Sequence, residues 1–269
     1  MNILRKIFLG LGVFALVAYL GICTLLYFQQ EKMIFHPHPL PKDFAFGYKN
    51  SYQEMQIPTF DGKKLDGLLF KADSSKGLVF YLHGNAGALD TWGDIADIYT
   101  KLGYDIFILD YRGFGKSEGT ITGEDQFFKD VQTAYDTLKT LYPEEKIVME
   151  GYSIGTGPAA MLASTNHPRL LILQAPYYSL IDVGEHLYPP ITPRFLSRYK
   201  FETFKYIQET KAPVVIFHGD SDQTIYYGSS VKLKEHFKTG DTLVTLPGAP
   251  HGKLNDNPVY QAYLKELLK

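Results

Sequence analysis

The chain has 269 residues, of which 45% are hydrophobic and 21% are charged, the shares of an ordinary globular protein. Its net charge of −2 argues against nucleic-acid binding, which needs a concentrated positive face. Its single cysteine excludes an intramolecular disulfide, and its length suits one large domain.

The N-terminal region contains a long uncharged segment. After a short tail, residues 1–6, residues 7–28 read IFLGLGVFALVAYLGICTLLYF. As a helix this segment would be about 33 Å long, enough to cross a hydrocarbon core of about 30 Å. The sequence therefore predicts an uncleaved transmembrane signal anchor.

Two other interpretations of this segment are weaker. A cleaved signal peptide normally ends in small residues, whereas this segment ends in large ones. A bacterial lipoprotein would use Cys23, but Ile22 precedes it where a small residue is expected. Arg5 and Lys6 favour a cytoplasmic N-terminus, with the main domain on the opposite side, periplasmic, lumenal or extracellular. That bias is small, because lysines also follow the segment.

Residues 29–50 are predicted to be a linker, because "FHPHPLPK" (residues 35–42) is rich in proline and favours an extended backbone. The remaining residues, 51–269, alternate between strand-like and helix-like segments. Short continuous apolar runs are typical of strands buried on both faces, and they fall at residues 78–84, 104–113, 146–153, 170–176 and 213–220.

The segments between and beside these runs complete the fold prediction. Residues 54–72 contain the turn signal "FDGKK" and are predicted to form an antiparallel hairpin at the sheet edge. Residues 123–142 and 257–269 repeat apolar residues at helical spacing. Because parallel neighbouring strands need crossover helices, the pattern predicts a doubly wound, mostly parallel α/β sheet.

One segment interrupts this alternation. Residues 177–207 separate two strands by more than one helix requires, and they are rich in aromatic residues and proline. In open α/β folds ligands bind beyond the carboxyl ends of the strands. We therefore expect residues 177–207 to form a small cap over that edge.

The motif "GYSIG" (residues 151–155) lies between a predicted strand and a small-residue helix. A serine on such a sharp strand-to-helix turn is exposed to substrate, and glycines two positions before and after it leave room for the turn. The following helix directs its N-terminus towards the reacting centre. Ser153 is therefore the candidate nucleophile.

The loop "YLHGNAG" (residues 81–87) follows another buried strand and is formed by small residues. Such a loop can present a backbone N–H to a developing oxyanion, and Asn85 is the nearest donor. The second donor would be the backbone N–H of Ile154, directly after the candidate nucleophile. We interpret His83 as a structural residue that shapes this loop.

His251 is the best candidate for a general base among the eight histidines. It lies in the glycine-containing loop "LPGAPHGKL", between a predicted last strand (residues 242–246) and the last helix. A base must reach the serine and return its proton to the leaving group, which suits such a loop. His218 ends a strand and is expected to be buried and hydrogen-bonded.

An acid should lie between the serine and the histidine in the order Ser, Asp, His. Asp182, Asp220 and Asp222 are the candidates. Asp182 falls inside the predicted cap and is the weakest of them. Asp220 and Asp222 both follow the strand "PVVIFHG", and spacing alone does not choose between them.

Five segments together resemble the α/β-hydrolase superfamily: "LHGNAG", "DYRGFGKSEG", "GYSIGTGPAA", "HGDSDQTI" and "GAPHGKL". The resemblance covers residue 51 to the end. It points to the branch that holds serine hydrolases similar to monoacylglycerol lipases, serine aminopeptidases and protein depalmitoylases. Many members of that branch are anchored to a membrane by one N-terminal helix.

The resemblance also implies residue roles. In the family the late-strand motif reads H-G-x-x-D-x-x-V, which places the acid at Asp222 and leaves Asp220 at a variable position. Residues 110–112 correspond to a segment that braces loops near the site. The implied catalytic residues are Ser153, Asp222 and His251, with oxyanion donors at Asn85 and Ile154. No metal or organic cofactor is needed for this chemistry.

These patterns predict a membrane-anchored serine hydrolase that cleaves carboxylic esters or thioesters through an acyl-enzyme. The expected substrate is a small-molecule or lipid-like ester, or an acylated protein. A serine aminopeptidase or amidase of the same fold is the first alternative. A membrane scaffold that kept the fold without activity is the second.

Overall fold

The structure is a computed structural model that describes residues 3–187 and 196–269. It begins with one long helix, α1 (Ile3–Ile34), which is long and apolar enough to cross a membrane. Large apolar side chains are exposed along it, from Ile3 to Phe28. The helix continues six residues beyond the predicted segment, so the first part of the predicted linker is helical.

The chain then forms two short strands and one large sheet. The short strands are β1 (His36–Pro37) and β5 (Ala86–Gly87), which pair in parallel. The strands of the large sheet are β2 (Tyr52–Pro58), β3 (Lys64–Phe70), β4 (Leu78–Leu82), β6 (Asp105–Leu109), β7 (Ile147–Tyr152), β8 (Leu170–Gln174), β9 (Val214–Gly219) and β10 (Thr242–Leu246).

Within the described residues the large sheet has the strand order β10-β9-β8-β7-β4-β6-β3-β2. The pairs from β10 to β6 are all parallel, whereas β3 runs antiparallel to both of its neighbours. The structure thus confirms the predicted α/β class, including the hairpin at one edge.

Helices cover both faces of the sheet, as a parallel sheet requires. After α1 they are α2 (Leu89–Trp92), α3 (Ala96–Thr100), α4 (Glu124–Lys139), α5 (Thr156–Thr165), α6 (Leu180–Leu187), α7 (Thr203–Glu209), α8 (Gly228–Lys234) and α9 (Pro258–Leu267).

Each buried strand contributes to two hydrophobic cores. Along β4, Leu78, Phe80 and Leu82 pack in the core that includes α4 and α5 residues. Val79 and Tyr81 point to the other face and pack with α3 and α9 residues. The two-residue period of a strand therefore explains why its sequence is continuously apolar.

The predicted cap is described in part, because residues 188–195 of it lie outside the described residues. The described part contains α6 and α7. The side chain of Asp182 on α6 accepts hydrogen bonds from Tyr226, at 2.5 Å, and from Lys232. Glu124 of α4 accepts a hydrogen bond of 3.0 Å from the backbone N–H of Phe201. These contacts join the segment to the sheet domain.

The strand order reverses direction between β4 and β7. From β4 the chain first builds the sheet outward through β6, and it then returns to β7 on the other side of β4. Such a reversal leaves a crevice beyond the carboxyl ends of the two strands, where ligands bind in open α/β sheets. The segments that follow β4, β7, β9 and β10 all emerge at this edge.

Candidate active site

Ser153 occupies a sharp turn between β7 and α5. Its φ of 52° lies in the left-handed region, which is uncommon for a residue other than glycine. The side chain is only 7% exposed and faces a cavity. The turn thus holds the serine hydroxyl in the crevice, as the strand, turn and helix pattern predicts.

The glycines around Ser153 are required by close backbone contacts. A Cβ atom added at Gly155 would lie 2.0 Å from the carbonyl oxygen of Leu82 at the end of β4. One added at Gly151 would lie 2.4 Å from the carbonyl oxygen of Gly155. No side chain fits at either position. Glycine is therefore required at 151 for the turn to close and at 155 for it to pack against β4.

Three predicted residues meet in a hydrogen-bonded chain. Nε2 of His251 lies 3.0 Å from Oγ of Ser153, and Nδ1 of His251 lies 2.7 Å from Oδ2 of Asp222. They come from the loops after β7, β9 and β10. The parallel sheet brings them together, because the carboxyl ends of these strands lie at one edge.

The surroundings of Asp222 stabilise its ionised carboxylate, which accepts hydrogen bonds. Its Oδ1 accepts the backbone N–H groups of Thr224 and Ile225 at 2.8 and 2.9 Å. Burial alone would raise the pKa of Asp222, but hydrogen bonds from His218 and His251 bring that pKa below its usual range. Asp222 is therefore ionised at neutral pH and favours a proton on Nδ1 of His251.

Asp220 has a different environment. It is exposed, and its Oδ1 accepts the backbone N–H of Gly248 at 2.7 Å. Gly248 belongs to the loop that carries His251. Asp220 therefore braces this loop, while only Asp222 of the two aspartates contacts the imidazole.

Asn85 lies on the same cavity as Ser153 and Ile154. Its side-chain Nδ2 donates to the carbonyl oxygen of Ile34 at the end of α1, at 2.9 Å. Its own carbonyl oxygen accepts the backbone N–H of His36 at 2.8 Å. The loop predicted to provide an oxyanion donor is thus held by the end of α1 and by the segment that follows it.

The two histidines interpreted as structural are buried in the structure. His83 has no exposed surface, and its Nε2 lies 3.2 Å from Oδ1 of Asp110. Burial raises the pKa of Asp110, and the nearby imidazole of His83 opposes this. His218 is equally buried between Ser230 and the carbonyl oxygen of Ile225.

His218 also has a role that the sequence did not indicate, because its Nε2 lies 3.2 Å from Oδ2 of Asp222. Two imidazoles therefore share one carboxylate oxygen. Arg112, in the segment implied to brace loops, forms hydrogen bonds with Asp61 and Asp130.

Two tyrosines support the site without having been predicted. The hydroxyl of Tyr177 donates to the carbonyl oxygen of Ile154 at 2.9 Å and accepts the backbone N–H of Gly157 at 3.0 Å. The hydroxyl of Tyr152 donates to the carbonyl oxygen of His251. They fix the turn and the histidine loop respectively. Burial raises the pKa of both tyrosines, so they remain neutral donors.

A cavity of about 370 Å³ opens beside Ser153, a size typical of small-molecule sites. Its floor includes Ile154, Tyr177 and Ile225, and apolar side chains of α6 form one wall. No Asp, Glu, Lys or Arg is present among the described residues that line it. The cavity therefore suits an uncharged, largely apolar group.

The chain is similar in sequence to known proteins. A family model described as serine aminopeptidase, S33, matches residues 73–203. An uncharacterized protein of Mycobacterium tuberculosis is 29% identical over 248 residues, which are 90% of this chain and 88% of that protein. Human α/β hydrolase domain-containing protein 17C is 31% identical over 202 residues, 73% of this chain. The aligned region is only 58% of the human protein's length.

A solved structure provides the comparison of fold. An esterase of Pyrococcus furiosus superposes with a TM-score of 0.70, covering 87% of this chain and 96% of the esterase. At 21% identity this likeness shows the fold alone. With the fold, the family-model match and the sequence relatives in agreement, the chain belongs to the α/β-hydrolase superfamily.

Proposed function

We propose that the protein is a membrane-anchored serine hydrolase that cleaves carboxylic esters or thioesters through an acyl-enzyme. The observation that carries this proposal is the continuous hydrogen-bonded chain from Asp222 through His251 to Ser153. In serine hydrolases this arrangement activates the hydroxyl and orients the imidazole. The exposed apolar surface of α1 supports membrane attachment.

The proposed reaction has two halves. Oγ of Ser153 attacks the carbonyl carbon while Nε2 of His251 takes its proton, and Asp222 stabilises the imidazolium. The backbone N–H groups of Asn85 and Ile154 receive the oxyanion. The intermediate then expels the alcohol or thiol, which takes the proton from His251. Water attacks the acyl-enzyme by the same route and releases the acid.

Replacement of the nucleophile tests this proposal. Ser153→Ala should lower hydrolysis of p-nitrophenyl butyrate by at least about 1,000-fold, because the attacking oxygen is lost. Ser164→Ala, on the outer part of α5, is the matched control and should keep activity near that of the wild type. Unchanged hydrolysis by Ser153→Ala, with circular dichroism showing an intact fold, would reject the assignment.

An aminopeptidase is the second candidate, favoured by the description of the matching family model. A site for a peptide amino terminus usually includes a carboxylate, and the described lining of the cavity includes none. Side-by-side turnover of aminoacyl p-nitroanilides and p-nitrophenyl esters separates the candidates. We expect a higher kcat/KM for the esters, and a preference for the anilides would favour the aminopeptidase.

A further inference from the structure

The cavity beside Ser153 is bordered by the end of the long N-terminal helix. Leu26, Gln30, Met33 and Ile34 of α1 all line it. Their positions, i, i+4, i+7 and i+8, lie on one face of a helix. The opposite wall is the apolar face of α6, which includes Leu180. The end of α1 therefore forms one wall of the cavity. The same helix also contains the apolar segment, residues 7–28.

This end of α1 is firmly attached to the cap. Gln30 donates through Nε2 to the carbonyl oxygen of Leu196 at 2.7 Å and accepts the backbone N–H of Arg198 at 2.8 Å. Glu31 pairs with the Arg198 guanidinium at 2.9 Å and accepts the hydroxyl of Tyr199 at 3.0 Å. Gln30, which lines the cavity, and its neighbour Glu31 thus hold this end of α1 against the cap.

The same segment is joined to the loop beside the nucleophile. Asn85 donates to the carbonyl oxygen of Ile34, and the backbone N–H of His36 donates to the carbonyl oxygen of Asn85. The buried ring of Phe35 lies between the rings of Phe127 and Tyr199, with centroid distances of 5.7 and 5.5 Å. The helix end, the cap and the Asn85 loop therefore form one packed unit.

The position of this wall relative to a bilayer follows from the apolar length. If residues 7–28 cross the membrane, Leu26 lies at its boundary, and Ile34 lies about 12 Å further along the helix. Tyr27 supplies an amphipathic aromatic ring at the level where such rings favour the interface. The cavity therefore begins at the membrane surface and leads from there to Ser153.

We propose that the face of α1 formed by Leu26, Gln30, Met33 and Ile34 is a specificity-determining wall, which admits the long acyl chain of a bilayer-held ester directly to Ser153. This inference rests on the proposed function and adds the route of the substrate. The acyl chain of the substrate lies between α1 and α6, and the carbonyl carbon of the ester reaches Oγ of Ser153. An aqueous short-chain ester needs no contact with this wall.

Substitutions on two faces of α1 test this proposal in the full-length protein reconstituted in phosphatidylcholine vesicles. Leu26→Trp and Met33→Trp place a larger ring in the cavity. Leu25→Trp and Phe28→Trp are matched controls, because these two side chains are 61% and 67% exposed on the same helix. The measured quantity is the ratio of kcat/KM for p-nitrophenyl palmitate to that for p-nitrophenyl butyrate.

We expect Leu26→Trp and Met33→Trp to lower this ratio by about tenfold, whereas both controls keep the wild-type ratio. An equal ratio in all four variants would overturn the inference. If a tryptophan variant does not fold, Leu26→Ala replaces it, and the enlarged cavity should change the ratio by at least about threefold. No change there would also overturn it.

Two further outcomes separate this inference from the proposed function. A wild-type protein that hydrolyses the butyrate but not the palmitate or monooleoylglycerol in vesicles would overturn the inference and leave the proposed function standing. A wild-type protein that hydrolyses neither ester would reject the proposed function itself. Suppose that the protein cleaves an S-palmitoyl peptide in the same vesicles, and that Leu26→Trp lowers kcat/KM for this peptide relative to p-nitrophenyl butyrate. That result would support the inference with a thioester as the substrate.

Discussion

At the scale of single residues, the two neighbouring aspartates of the "HGDSDQTI" segment have different surroundings. Asp222 is buried and contacts two imidazoles, whereas Asp220 is exposed and accepts a backbone N–H from Gly248. Their spacing in the sequence could not separate them, because both follow the same strand. The resemblance to the superfamily pointed to Asp222, and that role remains a prediction.

Replacing each aspartate by asparagine tests the assignment. Asp222→Asn should lower kcat/KM for p-nitrophenyl butyrate by on the order of 100-fold to 10,000-fold, because an amide neither stabilises the imidazolium nor fixes the tautomer. Asp220→Asn keeps an oxygen for the N–H of Gly248 and should remain within about threefold of the wild type. The opposite ranking of the two variants would move the acid to Asp220.

Glu150 is a buried acid that the proposed reaction does not use. It lies on β7 and accepts hydrogen bonds from Gln174 at 2.6 Å and Tyr260 at 2.7 Å. Burial raises its pKa to about 7, against the opposing effect of these hydrogen bonds. The folded protein therefore retains a proton that the unfolded chain loses at lower pH. The contribution of Glu150 to the free energy of unfolding is fully present below about pH 4.5 and is lost as the pH rises through 7.

Glu150→Gln should remove this pH dependence, because glutamine resembles the protonated acid. We expect the loss in free energy of unfolding between pH 5 and pH 8 to shrink by on the order of 1–3 kcal/mol, as measured by urea denaturation in detergent. Glu145→Gln, at an exposed position, should leave the loss unchanged. The prediction would be contradicted if the free energy of unfolding fell by the same amount between pH 5 and pH 8 in Glu150→Gln and in the wild type.

At the scale of elements, the strands were predictable because each is a short apolar run. The run at residues 78–84 corresponds to β4, Leu78–Leu82. The turn at Ser153 was also predictable, since its glycines and flanking elements are local in sequence. The attachment of α1 was not, because Gln30 and Leu196 are separated by 166 positions and neither carries a local signal. The support from Tyr177 was missed for the same reason.

The packing of the turn against β4 gives a prediction for stability. In Gly155→Ala the new Cβ would approach the carbonyl oxygen of Leu82 to 2.0 Å, and neither backbone segment can move freely. We expect a loss of at least about 1–3 kcal/mol in the free energy of unfolding, measured by urea denaturation. Gly47→Ala, where no atom lies within 4 Å of the new Cβ, is the control. Equal stability of both variants would show that the turn tolerates a side chain.

At the scale of the whole molecule, α1 exposes large apolar side chains and is long and apolar enough to cross a membrane. We expect the full-length protein to remain in the membrane fraction after alkaline carbonate treatment and to be released by detergent. We also expect a tag after Lys269 to lie on the side opposite the cytoplasm, as Arg5 and Lys6 favour. Release by carbonate would contradict the anchor, and a tag that is accessible from the cytoplasmic side of the membrane would reverse the orientation.

We propose that Ser153 is the nucleophile of a serine hydrolase. The most direct test of this claim is to treat the folded full-length protein with a fluorophosphonate and to locate the adduct by peptide mass spectrometry. We predict a single phosphonylated serine at Ser153, which disappears in Ser153→Ala and forms more slowly in Asp222→Asn. An adduct on another residue, or none on the folded wild type, would contradict the claim and favour a non-catalytic role.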